Sequence, residues 1–240
     1  MDYLKLVKKL IEEEYLKTPL IIEAFRDINR ADFLPDELKD EAGINAPLPI
    51  GFGQTNSQPL TVAFMLELLQ PRPGEKILDV GAGSGWTSAL LAYCVSRNVV
   101  ASPDLSSGRS NPADSGNNSG LLRRFAPRND GKVFAIERIG ELCEFGKNNI
   151  AKYNFIKKGI IEFICADGTK GWSERAPFDK IIAAASAQDM PAAWKEQLKV
   201  NGKMVLPIEN SIWLITKKSE KEFEQKKFPG FVFVPLISSQ

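Results

Sequence analysis

The chain has no histidine among its 240 residues, which removes the commonest general base near neutral pH and the commonest transition-metal ligand. Any catalysis must therefore proceed without imidazole, and no metal site is expected. Cysteine is scarce: Cys94, Cys143 and Cys165 lie far apart, form no C-x-x-C pair and sit in apolar helix or strand patterns. They are expected to be buried thiols in a reducing, cytoplasmic setting. Charge of one sign is lacking too, since 31 basic and 30 acidic residues leave a net charge of +1. Without a broad basic field, nucleic acid is not an expected partner. Long apolar runs are also missing: Met1 to Lys17 mixes Lys and Glu with Leu and Ile at helical spacing, unlike a signal peptide or a membrane span.

What is present is enough apolar residue, 43% of the chain, to fill the core of one α/β-sized domain, here taken to be a monomer spanning 1–240. Residues 3–30 read as two short amphipathic helices broken at Thr18-Pro19, followed by an irregular stretch from Asp32 to Gln58, so that 1–58 forms a helical cap and loop. A helix from Pro59 to Leu69, a strand over Lys76–Val80 and a helix over Thr87–Val95 follow. Beyond residue 130 the chain alternates: strand 132–136, helix 142–153, strands 161–165 and 180–184, helix 191–198, strand 203–207, and two late strands near 211–217 and 231–236. The fold class expected is a doubly wound, mostly parallel Rossmann-like sheet with an antiparallel C-terminal strand. Between the halves, 97–130 is rich in Ser, Asn, Gly, Pro and Arg and reads as a disordered insertion.

The most informative segment is Lys76-Ile-Leu-Asp-Val-Gly-Ala-Gly-Ser-Gly-Trp86, a strand ending beside an acid and turning through three alternate glycines. Gly81, Gly83 and Gly85 leave the turn without Cβ atoms, so its backbone can approach a ligand and donate N–H groups. In nucleotide-type folds an acid about 20 residues further on takes the ribose hydroxyls. The 52 positions from Gly85 to Glu137 shrink to 19 once residues 98–130 are set aside, which puts Glu137 in that role. A G-x-G-x-x-G dinucleotide fingerprint would need glycine where Trp86 stands, and no Gly-Lys-Ser/Thr follows for a P-loop. S-adenosylmethionine carries no phosphates and suits the turn better. Asp167-Gly168, after strand 161–165, then supplies a carboxylate for the adenine amino group, although Asp-Gly is also an ordinary turn.

The loop Pro49-Ile-Gly-Phe-Gly-Gln-Thr-Asn-Ser-Gln-Pro59 resembles the Gly-x-Gly-Gln-Thr-x-Ser-Gln-Pro signature of protein-L-isoaspartate O-methyltransferases. The resemblance runs on through Ile77–Gly85, Val133–Arg138, Ala166–Gly168, Ala176–Asp179 and Val205–Pro207 to Phe233–Leu236, and only 97–130 lies outside it. It implies methyl transfer from S-adenosyl-L-methionine to the α-carboxylate of isoaspartyl residues in damaged peptides and proteins, the first step of repair through a succinimide. It implies a cofactor site at Gln54, Thr55, Ser57, Asp79, Gly81, Gly83, Ser84, Gly85, Glu137, Asp167 and Gly168, with Ser57 as the active-site hydroxyl, orienting the carboxylate. Ser57 also reads as a cap for the helix starting at Pro59. The resemblance departs at Phe52, where the family commonly has His, at Trp86, where it has Tyr, and over Glu209–Trp213. A methyltransferase for another carboxylate and a cofactor-binding protein without transfer remain the alternative readings.

Overall fold

The computed structural model describes residues 2–97 and 131–237. Seven strands form one sheet in the order β5-β4-β3-β6-β7-β8-β9, and the Rossmann-like expectation holds. The strands are β3 (Lys76–Val80), β4 (Lys132–Glu137), β5 (Ile161–Cys165), β6 (Phe178–Ala183), β7 (Leu198–Ile208), β8 (Ser211–Lys217) and β9 (Phe223–Pro229). Strands β3 to β7 pair in parallel, whereas β7-β8 and β8-β9 are antiparallel. The chain winds outward from β3 in both directions, so the crevice beside the carboxyl ends of β3 and β6 is the topological switch point where ligands bind in such sheets.

Strand periodicity divides the core into two. Ile77, Val133, Ala135, Ile161, Val205 and Ile212 face the cluster containing the N-terminal helices, while Leu78, Phe134, Ile136, Ile181, Met204 and Ile215 face the other side. Residues of both kinds are buried, as expected of central parallel strands. The first face is covered by α1 (Tyr3–Glu12), α2 (Pro19–Asp27), α3 (Pro59–Leu69), α4 (Trp86–Ser96) and α5 (Gly140–Ala151). Trp86, the first residue of α4, packs edge-on against Tyr3 and Phe25 with ring centroids 6.4 and 5.7 Å apart, which fastens the cap to the sheet domain. On the second face Trp194 of α6 (Ala192–Gln197) donates its indole N–H to the Gly168 carbonyl (2.9 Å) and Gln197 donates to the Lys170 carbonyl (2.9 Å). The short helix therefore holds the turn that follows β5.

Three expectations need correction. The stretch 32–58 is not irregular: it contains two 3₁₀ turns and a hairpin of β1 (Leu48–Gly51) and β2 (Gln54–Asn56). Its strands are too short to show a period, and the tip needs positive φ at Phe52 and Gly53. The last strand is 223–229, not 231–236. Its Glu-Gln-Lys-Lys run is a solvated edge, and charged edge strands resist unwanted pairing. The 231–236 segment instead runs back over the sheet end, where the Ser186 N–H donates to the Val234 carbonyl (2.8 Å) and the Leu236 N–H to the Ser186 carbonyl (2.7 Å). Finally, Cys143 and Cys165 are joined in a disulfide and Cys165 is exposed, so only Cys94 is a buried free thiol. The pairing arises because β4–β5 register sets Cys165 opposite Glu137 while the first turn of α5 carries Cys143 back across it. The proposed insertion, beyond Arg97, lies outside the described residues.

Helix α5 approaches the glycine turn very closely. A Cβ on Gly146 would stand 2.6 Å from the Gly83 carbonyl oxygen, and one on Gly85 would stand 2.7 Å from Ile150. Helix propensity alone makes Gly146→Ala stabilising by about 1 kcal/mol. The backbone clash is expected to reverse that sign, lowering stability by about 1–3 kcal/mol in thermal or urea denaturation. A stabilised variant would show that this contact does not set the approach of α5.

Candidate functional site

At the switch point the described residues enclose a cavity of about 220 Å³. Its floor is the turn after β3, with Gly81, Gly83 and Ser84. One wall is Glu137 and the residues after β4, another is the hairpin residues Gln54, Thr55, Asn56 and Ser57, and Ala184 and Ala185 close it from β6. The glycine turn requires its residue type: φ is 76° at Gly81, 52° at Gly83 and 85° at Gly85.

Glu137 is nearly buried and its carboxylate is fully oriented. Oε2 accepts from the Gly83 N–H (2.9 Å), and Oε1 accepts from the N–H groups of Arg138 (2.8 Å) and Ile139 (3.0 Å). A carboxylate has roughly four lone-pair directions, so capacity for a further donor from the cavity remains.

Asp79 lies immediately before the turn and is entirely buried. Its Oδ2 accepts from the Ser88 hydroxyl (2.6 Å), while Oδ1 has no partner. Burial pushes its pKa up to about 7; the Ser88 hydrogen bond opposes the shift and the nearby Glu137 charge adds to it. An unsatisfied buried acceptor beside a cleft is what a bound ligand with donor groups would complete.

Most of the anticipated residues meet here. Gln54, Thr55, Ser57, Gly81, Gly83, Ser84, Glu137 and Gly168 line the cavity. Gly85 is one step removed, as the N-cap of α4, and Asp79 sits behind the floor. Asp167 is not part of the lining: its Oδ1 accepts from the Thr169 N–H (2.9 Å) and hydroxyl (2.7 Å), capping the following 3₁₀ turn. Ser57 does not cap α3. Gln58 occupies the cap position, and the Leu60 N–H donates to Asn45 Oδ1 (3.0 Å) from across the loop. Phe52, at the hairpin tip, is 57% exposed and lies on the cavity rim, whereas Glu209 falls in the turn between β7 and β8.

Sequence reasoning missed three contributors. Asn56 occupies the variable position of the loop motif and draws no notice there. The segment Val234–Ile237 forms part of the lining although the chain between it and the glycine turn exceeds 140 residues. Arg30, on a 3₁₀ turn, is 0% exposed and donates to the carbonyl oxygens of Ile44 (2.8 Å), Ala46 (2.8 Å), Asn56 (3.2 Å) and Ser57 (3.1 Å) and to Asn56 Oδ1 (2.9 Å). Its guanidinium also lies 5.5 Å from the Trp86 ring centroid. An arginine in the run Asp27-Ile-Asn-Arg-Ala-Asp-Phe33 reads as a surface charge until the fold reveals its acceptors.

A doubly wound sheet with a glycine turn, a carboxylate after the second strand and a cleft at the switch point defines a Rossmann-like fold of the methyltransferase class. Comparison with known proteins narrows this. The family profile described as Protein-L-isoaspartate(D-aspartate) O-methyltransferase (PCMT) matches residues 2–106 and 113–240, reaching into the 97–130 segment from both sides. The protein-L-isoaspartate O-methyltransferase of Methanopyrus kandleri is 36% identical over 98% of this chain and 91% of its own length. That of Archaeoglobus fulgidus, numbered 2, is 36% identical over 98% and 94%. A crystal structure of a beta-aspartate methyltransferase (PCMT) from Plasmodium falciparum, in complex with S-adenosyl-L-homocysteine, has the same fold, with a TM-score of 0.77 and 22% identity over the full length of both chains. The chain belongs to the protein-L-isoaspartate(D-aspartate) O-methyltransferase family. No helix among the described residues is long and apolar enough to cross a membrane.

The buried Asp79 makes stability depend on pH. Because its pKa is raised in the fold, the native state holds a proton there that the unfolded chain releases near pH 4. The stabilisation is present below pH 4 and is lost as pH rises through about 7. Asp79→Asn, which keeps an acceptor for Ser88, is therefore expected to gain stability relative to the parent between pH 5 and pH 8. Urea unfolding of the ligand-free proteins at both values reads this difference, and a gap that stays constant would contradict the shift.

Proposed function

We propose that this chain transfers the methyl group of S-adenosyl-L-methionine to the free α-carboxylate of L-isoaspartyl residues in damaged peptides and proteins, giving an ester that collapses to a succinimide. The observation that carries the reading is the meeting of the Gln54–Ser57 hairpin and the Gly81–Gly85 turn across one cleft, in a member of the isoaspartyl methyltransferase family. The residues present suit the cofactor: a Cβ-free turn, an oriented Glu137 with remaining acceptor capacity, and an unpartnered buried Asp79 oxygen. Gly81, Gly83, Ser84, Gly85, Asp79, Glu137 and Gly168 would hold it, with Gln54, Thr55 and Ser57 facing it from the substrate side. Asp167 supports this only indirectly, by shaping the turn that presents Gly168.

When bound, S-adenosylmethionine supplies an electrophilic sulfonium methyl. An α-carboxylate has a pKa near 3 to 4, so at neutral pH the nucleophile is already ionised and no proton need be removed. The absence of histidine therefore costs the reaction nothing. What the chain must provide is alignment of the carboxylate oxygen with the methyl carbon, and a site poor in water. Ser57, half-buried on the cavity wall with its carbonyl held by Arg30, is assigned to orienting the carboxylate by hydrogen bonding. It is not assigned to nucleophilic attack, since among the described residues no side chain accepts a hydrogen bond from its hydroxyl to activate it.

Labelled methyl transfer to paired peptides differing only in Asp or isoAsp tests the reading. Base-labile label on the isoAsp peptide alone is expected. Label on neither peptide, with cofactor bound, would favour another carboxylate substrate or a non-catalytic role, with Phe52 the first residue to examine. Ser57→Ala is expected to lower kcat by about 10-fold or more, the loss of one hydrogen bond to a charged group, with little change in cofactor affinity. An unchanged rate would remove Ser57 from the chemistry.

A further inference from the structure

The β1–β2 hairpin stands apart from the main sheet and meets the glycine turn at two points. Ile50 Cδ1 lies 3.4 Å from where a Gly83 Cβ would stand, and Asn56 Nδ2 donates to Ser84 Oγ over 2.9 Å. Asn56 is buried and its amide is used in both directions: Oδ1 accepts from Arg30 Nε (2.9 Å), and Nδ2 also reaches the Phe33 carbonyl (3.4 Å). On the far side, Asn149 Nδ2 of α5 donates to the Ser84 carbonyl (3.1 Å). One buried line of hydrogen bonds thus runs from Arg30 through Asn56 and Ser84 to α5.

Arg30 Nη2 also donates to the carbonyls of both Asn56 and Ser57, so the two residues are anchored to one guanidinium. Ser57 is the next residue after Asn56, and a shift of Ser84 reaches it through a single peptide unit. In a low-dielectric interior, Ser84 cannot change its hydrogen bonding without disturbing Asn56, because broken buried bonds find no water to replace them.

We infer that Asn56 is a positioning residue that couples the two halves of the cleft. Occupation of the glycine turn by cofactor sets Ser84, Ser84 sets Asn56, and Asn56 sets the hairpin that presents Thr55 and Ser57 to the peptide. Cofactor and isoaspartyl peptide then bind with positive cooperativity, and the coupling is reciprocal. The inference rests on the cofactor and substrate sites proposed above but makes a separate claim about the link between them.

The test uses the full chain with S-adenosylhomocysteine and an isoaspartyl peptide, a pair that forms a ternary complex without turnover. Calorimetry gives the Kd for S-adenosylhomocysteine alone and with saturating peptide. In the parent protein the peptide is expected to tighten that Kd by about 5-fold or more, the lower end of typical coupling. In Asn56→Ala the ratio is expected to fall to about 1, a change in linkage that general destabilisation does not produce. Ser84→Ala breaks the same line from the other end while leaving Arg30 its Asn56 acceptor. It is expected to abolish the ratio too, with the double variant losing nothing further. If Asn56→Ala does not fold, Ser84→Ala carries the test alone. A ratio near 1 in the parent, or one retained in either variant, overturns the inference while leaving the methyltransferase reading intact. Failure of the parent to bind S-adenosylhomocysteine at all overturns the cofactor site, and the coupling with it.

Discussion

Arg30 carries a charge into a position with no access to water, where desolvation costs several kcal/mol unless its donors are matched. Burial lowers its pKa to about 10, which still leaves it cationic at neutral pH. The matching is done by oxygens drawn from the 42–46 loop and from Asn56 and Ser57, which share no regular secondary structure with Arg30. A planar guanidinium with five donors is suited to gather several chain segments at once, and lysine could not reproduce the arrangement. The hairpin side of the cleft has its shape because this one cation must be satisfied.

The glycine-turn side answers to a different constraint, the close approach of backbone to backbone. Gly146 lets α5 settle against the Gly83 carbonyl, Gly85 makes room for Ile150, and the Glu137 carboxylate pins the Gly83 N–H from the neighbouring strand. The turn is therefore preorganised by contacts behind it, leaving its front face open to the cleft. Asn56 and Ser84 join these two constraints, so the cleft behaves as one polar assembly and not as two walls that happen to face each other.

The chemistry assigned to this site agrees with the composition. A reaction whose nucleophile arrives ionised asks for orientation and exclusion of water, not proton transfer. On the proposed reading, main-chain donors and one serine meet that need, and the missing imidazole ceases to be a puzzle. The exposed Phe52 at the rim is the departure most closely placed to touch a peptide.

Much of the fold was legible along the chain because its signals are local. Apolar strands ending at an acid, the Gly81–Gly85 turn and the spacing to Glu137 specify a doubly wound sheet and the glycine-turn wall of the cleft through local geometry and periodicity. The Gln54–Ser57 motif, by resemblance, pointed to the loop that forms the opposite wall of the cleft. What the sequence could not convey is whatever depends on partners distant in the chain. Strands of three and four residues carry no clear period, so the β1–β2 hairpin was hidden. The edge strand at 223–229 is charged because it faces water, and so it looked like a loop. The Cys143–Cys165 pair, the cap role of Asp167, and the parts played by Arg30, Asn56 and Val234–Ile237 follow from which segments the sheet brings together. By itself the sequence determined the turn and its chemistry; only the tertiary structure decided which buried polar groups satisfy one another, because hydrogen-bond satisfaction is a property of neighbours in space.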